Sequence, residues 1–408
     1  MTLMTSSRRA FARPVELALY AAGPFATLIT APILARALGP AARGQYGVAM
    51  AVATFALTLG AWGQAETYMA EARAGRFGYA QQTRIALIGG VLTAVLTGIG
   101  LVLLGLPPLT AVVTAVWVPL LNQTNLWRSV SVASGYLRPP AVSGALGPAL
   151  RVAALVVLLL TATLTVNTAI IVTQAALLVA AMATVAIVAR RVHAERSGPT
   201  VPIARLVRSG GAVITFDVFN ALALRSDLIV LQLFVSPHVV GLYAAPASLT
   251  TAALALSIAF KNRIQAAVVA EAPPGTIARE VLPVLVLGAV GAAILWIIAP
   301  WLVAVFFGPE YSGSVVLLRL LGLATVPLLL FDLVQGVLVV LARRRALIAV
   351  GAVSAAAVVG SLLVLCPPFG AVGAAIACLI GYTVAASVGW LIVARDLRLH
   401  AGRSTVMT

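Results

Sequence analysis

Six ionisable side chains stand inside long apolar segments of this sequence, where a charge is costly and therefore points to function. An arginine there indicates an anionic partner, because the guanidinium stays charged and its planar fork can bond two oxygens at once. A carboxylate there indicates an ion-pair partner or a site that takes up a proton. The six balance in formal charge and are Arg151, Arg225, Arg319, Asp217, Asp227 and Asp332.

The segments that hold these residues predict an all-α integral membrane protein. Of the 408 residues, 62% are apolar and 9% are charged, whereas ordinary soluble domains average about 45–50% and about 25%. The apolar residues come in runs of the length that a spanning helix needs, about 20 residues, rather than in the alternation of a membrane β-barrel. Few residues are left for a large domain outside the membrane.

Twelve apolar segments are predicted to be transmembrane helices. We interpret the first as an uncleaved helix, because its run of about 20 apolar residues exceeds the core of roughly 7–15 that a signal peptide has. The segments lie at about 15–36, 45–64, 85–106, 109–127, 140–162, 165–189, 209–234, 239–260, 281–304, 314–341, 346–366 and 371–394.

The basic residues sort to one side of these segments. With twelve spans, 22 of the 27 Lys and Arg residues fall on one side, Arg36 and Arg43 fall on the other, and three lie inside spans. Both termini are therefore predicted to be cytoplasmic, since positive charge collects on that side. The net charge of +16 then reflects orientation in the membrane, and no nucleic-acid partner is expected. No metal-ligand or nucleotide-binding spacing occurs, so we expect no metal, no cofactor and no catalytic residue.

A short motif, P-x3-G-x-Y, occurs twice at an offset of 197 residues, at Pro40–Tyr46 and at Pro237–Tyr243. The two copies predict an internal repeat of six spans, and halves with an even number of spans have the same orientation. Two such lobes around a central cleft suit alternating access; a duplicated scaffold without transport is the other interpretation. The predicted organisation is a cytoplasmic tail at 1–14, an N-terminal lobe at 15–189, a basic cytoplasmic linker at 190–208, a C-terminal lobe at 209–394 and a cytoplasmic tail at 395–408.

Four stretches in this order resemble polysaccharide (oligosaccharide) flippases of the Wzx type, in the multidrug/oligosaccharidyl-lipid/polysaccharide exporter superfamily. The resemblance covers essentially the whole chain. It implies twelve helices in two lobes and the movement of a lipid-linked sugar to the outer leaflet of a bacterial cytoplasmic membrane, for surface polysaccharide biosynthesis. Membrane lipid, and glycosyltransferases or a polymerase of the same pathway, would be its partners. The stretches are Ile33–Pro40 with Gly44–Gly47, Arg225–Tyr243, Phe307–Tyr311 and Gly370–Ala375.

With this implied substrate, the intramembrane residues receive candidate roles. Arg151 and Arg225 lie near mid-membrane in opposite lobes, and we expect them to face the cleft and hold the diphosphate. Asn122 and Asn220 are candidate substrate ligands, although bonding between helices explains Asn122 equally well. Arg36 is expected to extend toward the interface rather than to bind substrate.

The remaining four are expected to act in gating or ion coupling. Arg319 and Asp227 have matched depth near the outer side, which predicts an ion pair that closes that side of one lobe. Asp217 and Asp332 lie toward the cytoplasmic side, where a carboxylate is also a candidate proton site.

Two other function classes compete with a flippase. A membrane glycosyltransferase or polymerase is disfavoured because the predicted outer loops carry a single carboxylate, Glu310. A proton- or sodium-coupled multidrug exporter of the same superfamily is the closer alternative. The arginines favour an anionic substrate, whereas a cationic drug would favour an acidic cleft.

Overall fold

The computed structural model describes residues 14–62, 79–133, 138–192, 203–252, 254–270 and 274–404. Nearly all of these residues are helical and none of them is in a strand, which confirms the predicted all-α class. The tails, 190–208 and the turn after the second predicted segment lie wholly or partly outside the described residues. The helices are α1 (Pro14–Ala61), α2 (Tyr79–Leu103), α3 (Pro108–Ala115), α4 (Val118–Ala133), α5 (Arg138–Leu160), α6 (Val166–Val192), α7 (Ile203–Phe234), α8 (Pro237–Ala252), α9 (Leu254–Val269), α10 (Pro274–Phe306), α11 (Ser314–Val340) and α12 (Arg344–Ser404).

Two of these helices are each broken once by a glycine in a left-handed conformation. Gly39 has a φ of 72° inside α1 and Gly370 has a φ of 54° inside α12. Glycine adopts such angles at little cost because it has no Cβ. At 1.5 Å per residue, the stretch of 40 residues in α1 and the stretch of 53 in α12 that are apolar enough to cross a membrane far exceed a hydrocarbon core of about 30 Å. Each therefore holds two of the predicted segments.

The described residues of all twelve predicted segments lie largely on helices, and the segments at 109–127 and 239–260 are each divided between two helices. Seven helical stretches of the described residues are long and apolar enough to cross a membrane, and two of these are the broken helices. The chain is thus a multi-pass membrane protein, while the count of twelve crossings stays a prediction. Large apolar side chains are exposed along the helices, for example Leu92, Leu96, Ile297 and Val364, which suits lipid rather than water.

The helices pack as two groups, one before residue 193 and one after residue 202. Among the described residues, the extensive contacts between the groups are all made by α1, which packs mainly on α8 and α7. The functional geometry therefore depends on how α1 approaches these two helices.

The two P-x3-G-x-Y motifs pack directly against each other at this boundary. A Cβ added to Gly44 would overlap the carbonyl oxygen of Pro237, and one added to Gly241 would overlap that of Pro40. Real side chains cannot occupy such space, so the contact requires glycine at both positions. We call these four residues the glycine seam.

The seam yields a stability prediction. Gly44→Ala and Gly241→Ala should each destabilise the protein by roughly 1–3 kcal/mol, the usual cost of overpacking. Cys366 and Cys378 are both buried, so labelling by a thiol-reactive dye during heating reports unfolding in detergent. Gly291→Ala is the matched control, since a Cβ there meets open space. Unfolding of Gly241→Ala at the temperature of Gly291→Ala would contradict the steric account.

Candidate functional site

A cavity of about 300 Å³ lies between the two helix groups and is lined by both. The first group contributes residues from both halves of α1 and from α5, and the second contributes residues from α7, α8, α9, α11 and α12. The cavity is therefore a cleft between the halves of the predicted repeat. Its polar lining includes Thr27, Thr54, Ser248 and Tyr382.

The charged lining of the cavity is positive. It consists of Arg43, Arg151, Arg225 and Asp227, so three guanidinium groups face one carboxylate. The structure thus brings together Arg151 and Arg225, the two arginines that were assigned to the cleft by depth. They come from α5 and α7, on opposite sides of the boundary.

Arg43 is the cavity residue that the sequence analysis missed. The predicted segments place Arg43 in an outer turn between the first two spans, but α1 continues through this position beyond the break at Gly39, and the side chain is 4% exposed. One signal in the sequence could have identified it. Arg43 stands in the first P-x3-G-x-Y motif where the second copy has Val240, and a charge that only one copy carries has no role in the shared packing.

The three guanidinium groups keep donors that the protein does not use. Arg43 lies 5.3 Å from the ring centre of Tyr46, its Nη2 donates to Ala244 O at 3.4 Å, and its Nε has no partner. Arg151 donates from Nη2 to Thr27 Oγ1 at 3.2 Å, and its buried Nε also lacks a partner. Buried donors of this kind are costly unless another molecule accepts from them.

Arg225 differs from the other two because it has a carboxylate nearby and yet forms no ion pair. Within the described residues we find neither a hydrogen bond nor an ion pair of its guanidinium. Asp227, two positions along α7, is instead held by other groups. All three cavity arginines are therefore available to an anion.

The predicted Arg319–Asp227 ion pair is wrong. Asp227 is buried and accepts hydrogen bonds from Tyr243 Oη at 2.8 Å and from the Leu228 amide at 2.8 Å. Arg319 donates from Nε to Trp296 O at 2.9 Å, and its guanidinium lies 5.4 Å from the centre of the Trp296 ring. The prediction matched the two residues by depth, but depth does not say which way a side chain leaves its helix.

Asp332 forms an ion pair that the sequence did not predict. Its Oδ1 lies 2.8 Å from Lys261 Nζ, and Ser257 also donates to this carboxylate. Lys261 lies just beyond the predicted segment at 239–260, whereas α9 extends to Val269 and directs Lys261 at α11. Asp332 and Asp217 both lie outside the described cavity lining.

The two candidate asparagines also lie outside the cavity lining. Asn122 is buried and donates to Gly60 O at 2.9 Å and to Ala86 O at 2.6 Å. The structure therefore supports bonding between helices for Asn122 rather than substrate binding. Asn220 accepts a hydrogen bond from Gln335 Nε2 at 2.9 Å, which links α7 to α11.

The Lys261–Asp332 pair can be tested by a double-mutant cycle. Lys261→Met and Asp332→Asn should each destabilise the protein by about 1–3 kcal/mol, because each leaves a largely buried charge without its partner. The double variant should recover part of this loss. Thermal unfolding in detergent measures it, and strictly additive effects of the two substitutions would show that the pair does not couple.

Solved structures of transporters share this fold. The lipid II flippase MurJ in an inward closed conformation matches with a TM-score of 0.71 at 9% identity, over 94% of this chain and 89% of MurJ. An inward-facing MATE family multidrug resistance transporter of the MOP superfamily matches with 0.62 at 14% identity, over 95% and 94%. The MATE transporter VcmN of Vibrio cholerae matches with 0.61 at 18% identity, over 93% and 94%.

No curated protein matches this sequence. The model of the family described as "Polysaccharide biosynthesis protein" matches residues 17–260, which is more than half of the chain and includes both copies of the motif and all four charged cavity residues. The resemblance drawn from the sequence is thereby confirmed, and the chain belongs to the polysaccharide biosynthesis protein family, with the fold of MOP superfamily transporters.

Proposed function

We propose that this protein is a flippase that moves a polyprenyl-diphosphate-linked oligosaccharide from the inner to the outer leaflet of a bacterial cytoplasmic membrane. The observation that carries the proposal is the set of three arginines with unused donors in one cavity between the helix groups. The product would serve surface polysaccharide biosynthesis. Glycosyltransferases or a polymerase of that pathway would supply or consume the lipid-linked sugar.

Charge complementarity supports this substrate. A diphosphate that joins a sugar to a lipid is dianionic, and three arginines against one aspartate leave the lining with a matching excess of positive charge. Guanidinium groups bond phosphate oxygens in pairs, and such charge-assisted bonds are among the strongest that proteins make. A diphosphate sugar cannot enter hydrocarbon unaided because its charges would lose their hydration.

The size of the cavity suits one part of the substrate, the charged linkage with its neighbouring sugar. A volume of about 300 Å³ is at the small end of ligand sites, which span about 300–1,000 Å³. It suits the charged linkage and the sugar next to it, while the polyprenyl chain stays in an apolar environment. Thr27, Thr54 and Ser248 in the lining offer hydroxyl partners to that sugar.

The glycine seam supports alternating access between the two leaflets. With both termini in the cytoplasm, as the charge distribution predicts, the two motifs lie toward the outer side. The seam then closes the outer end of the cleft, and its separation would open the cavity to the outer leaflet. Arg43 precedes Gly44 directly, so an anion bound at Arg43 contacts the helix that must move.

A proton- or sodium-coupled multidrug exporter remains the alternative, because MATE transporters share the fold. Its support is the buried Asp227 in the cavity, a candidate for proton uptake. The excess of arginine in the same lining argues against a cationic drug, which would meet repulsion there. In the flippase proposal, Asp227 is the candidate coupling group rather than a ligand.

The arginines test the proposed substrate. Arg43→Ala, Arg151→Ala and Arg225→Ala should each weaken binding of purified protein to undecaprenyl diphosphate by roughly 10- to 100-fold, because one charge-assisted bond contributes about 1.5–3 kcal/mol. Lysine at the same positions should restore only part of the affinity, since it keeps the charge but loses the fork.

Arg319→Ala is the matched control, because Arg319 bonds Trp296 outside the cavity lining. It should bind undecaprenyl diphosphate like the wild type. Wild-type transport by the Arg151→Ala/Arg225→Ala double variant, inserted at normal levels, would overturn the assignment of the diphosphate to this cavity.

Deletion of the gene separates the two functions. A flippase deletion should cause polyprenyl-diphosphate oligosaccharide to accumulate in lipid extracts, on the cytoplasmic side, and should remove the surface polymer. The wild-type gene should restore both, and the Arg151→Ala/Arg225→Ala variant should not. Unchanged lipids and polymer with altered drug tolerance would instead support the exporter and make Asp227 the residue to substitute.

A further inference from the structure

A second space of about 410 Å³ lies between the two helix groups, and its lining is almost wholly apolar. The first group contributes Val52, Phe55 and Gly100, and the second contributes Leu222, Ser226 and Val359, together with further aliphatic side chains. Leu103 at its edge is strongly exposed, so the space opens at the apolar outer surface of the helices. We call it the apolar groove.

The groove and the arginine cavity share two helices at the same level. On α1, Ala51 and Thr54 line the cavity while the next residues, Val52 and Phe55, line the groove. On α7, Arg225 lines the cavity and Ser226 lines the groove. Consecutive residues of a helix point about 100° apart, so α1 and α7 form the wall between the two spaces.

Ser226 marks a polar point in this otherwise apolar lining. Its side chain is 4% exposed, and its hydroxyl has no hydrogen-bond partner. A buried hydroxyl without a partner costs free energy, and helical serines usually avoid that cost by bonding a carbonyl one turn earlier. Along α7, Ser226 stands between Arg225 and Asp227, which both line the cavity.

We propose that the apolar groove binds the first isoprene units of the substrate's polyprenyl chain, with Ser226 donating to the phosphate ester at the junction. This inference rests on the proposed function. A lipid-linked diphosphate joins a charged group to an apolar chain, and α1 and α7 place a charged space and an apolar space side by side. The chain passes between these helices, which belong to different groups and separate when the cleft changes shape.

In this proposal, the groove binds the polyprenyl chain through close packing rather than through the hydrophobic effect. The surrounding lipid is as apolar as the groove, so moving the chain between them gains little, and packing decides the affinity. Gly100 matters for this reason, because a Cβ added there meets nothing within 4 Å. A large side chain at Gly100 therefore fills the groove without disturbing the helices around it.

The test uses two probes, undecaprenyl diphosphate and inorganic diphosphate. Gly100→Trp should weaken binding of undecaprenyl diphosphate by about tenfold and leave binding of inorganic diphosphate unchanged. Gly291→Trp is the matched control on α10, where a Cβ also meets open space, and it should bind both probes like the wild type. Ser226→Ala should weaken only the undecaprenyl probe. Equal binding of that probe by Gly100→Trp and Gly291→Trp would overturn the inference.

A second measurement needs no substitution in the groove. Undecaprenyl diphosphate with a photoreactive group on its first isoprene units, added to wild-type protein in phospholipid nanodiscs, should label α1 near Phe55 and α7 near Ser226. Labelling confined to α10 would place the chain elsewhere, and displacement by phospholipid alone would show that the groove holds bilayer lipid. If the cavity arginine variants bind both diphosphate probes like the wild type, the proposed function fails. If the arginine variants lose binding but the groove variants bind both probes like the wild type, only this inference fails.

Discussion

The close approach of α1 and α8 at the glycine seam is the constraint on which the rest of the site depends. Because neither Gly44 nor Gly241 has a Cβ, each backbone packs on the carbonyl of the proline in the other motif. That approach brings the residues beside the glycines into the boundary between the helix groups. Arg43 is carried to the Ala244 carbonyl, and the following turn of α8 directs Tyr243 to Asp227. The seam thus joins the two halves and also positions one cation and one carboxylate of the cavity.

The charges that line the cavity favour an anion. Three guanidinium groups in one small space repel one another, and the single carboxylate there is bonded to Tyr243 rather than to an arginine. Elsewhere in the described residues, an intramembrane carboxylate has a direct cationic partner, as the Lys261–Asp332 ion pair shows. The cavity arginines receive hydroxyl, carbonyl and aromatic neighbours instead. Cations without carboxylate partners are costly inside a membrane protein, and an anion bound among them would lower that cost.

The sequence predicted the helices from composition and the depth of the charged residues from position. It did not predict which neighbour each side chain contacts, because that depends on the side of the helix from which the side chain projects. Apolar runs gave the helices, and counting residues from the start of a span put Arg151 and Arg225 at one level, where the structure brings them into one cavity. The same counting paired Arg319 with Asp227 wrongly, because a residue's depth is independent of the side of the helix from which its side chain projects. Lys261 was missed because α9 extends past the predicted end of its apolar segment. Arg43 was missed because the predicted turn between the first two segments is only a break at Gly39, so Arg43 lies on the helix rather than in a loop.

The two motifs are equivalent in packing but not in chemistry, and this difference suits a carrier with a direction. Tyr46 in the first motif shares a hydrogen bond of 3.0 Å with the hydroxyl of Thr173, whereas Tyr243 in the second donates to the carboxylate of Asp227. Position 43 is an arginine in the first motif, and its counterpart in the second is Val240. The first motif therefore presents a cation to the cavity, whereas the second holds the carboxylate of Asp227, which α7 presents to the same cavity. In the proposed flippase, the symmetric seam would hold the halves together without substrate, while an anion at Arg43 would act on α1 and a change at Asp227 would act on α7 and, through Tyr243, on α8.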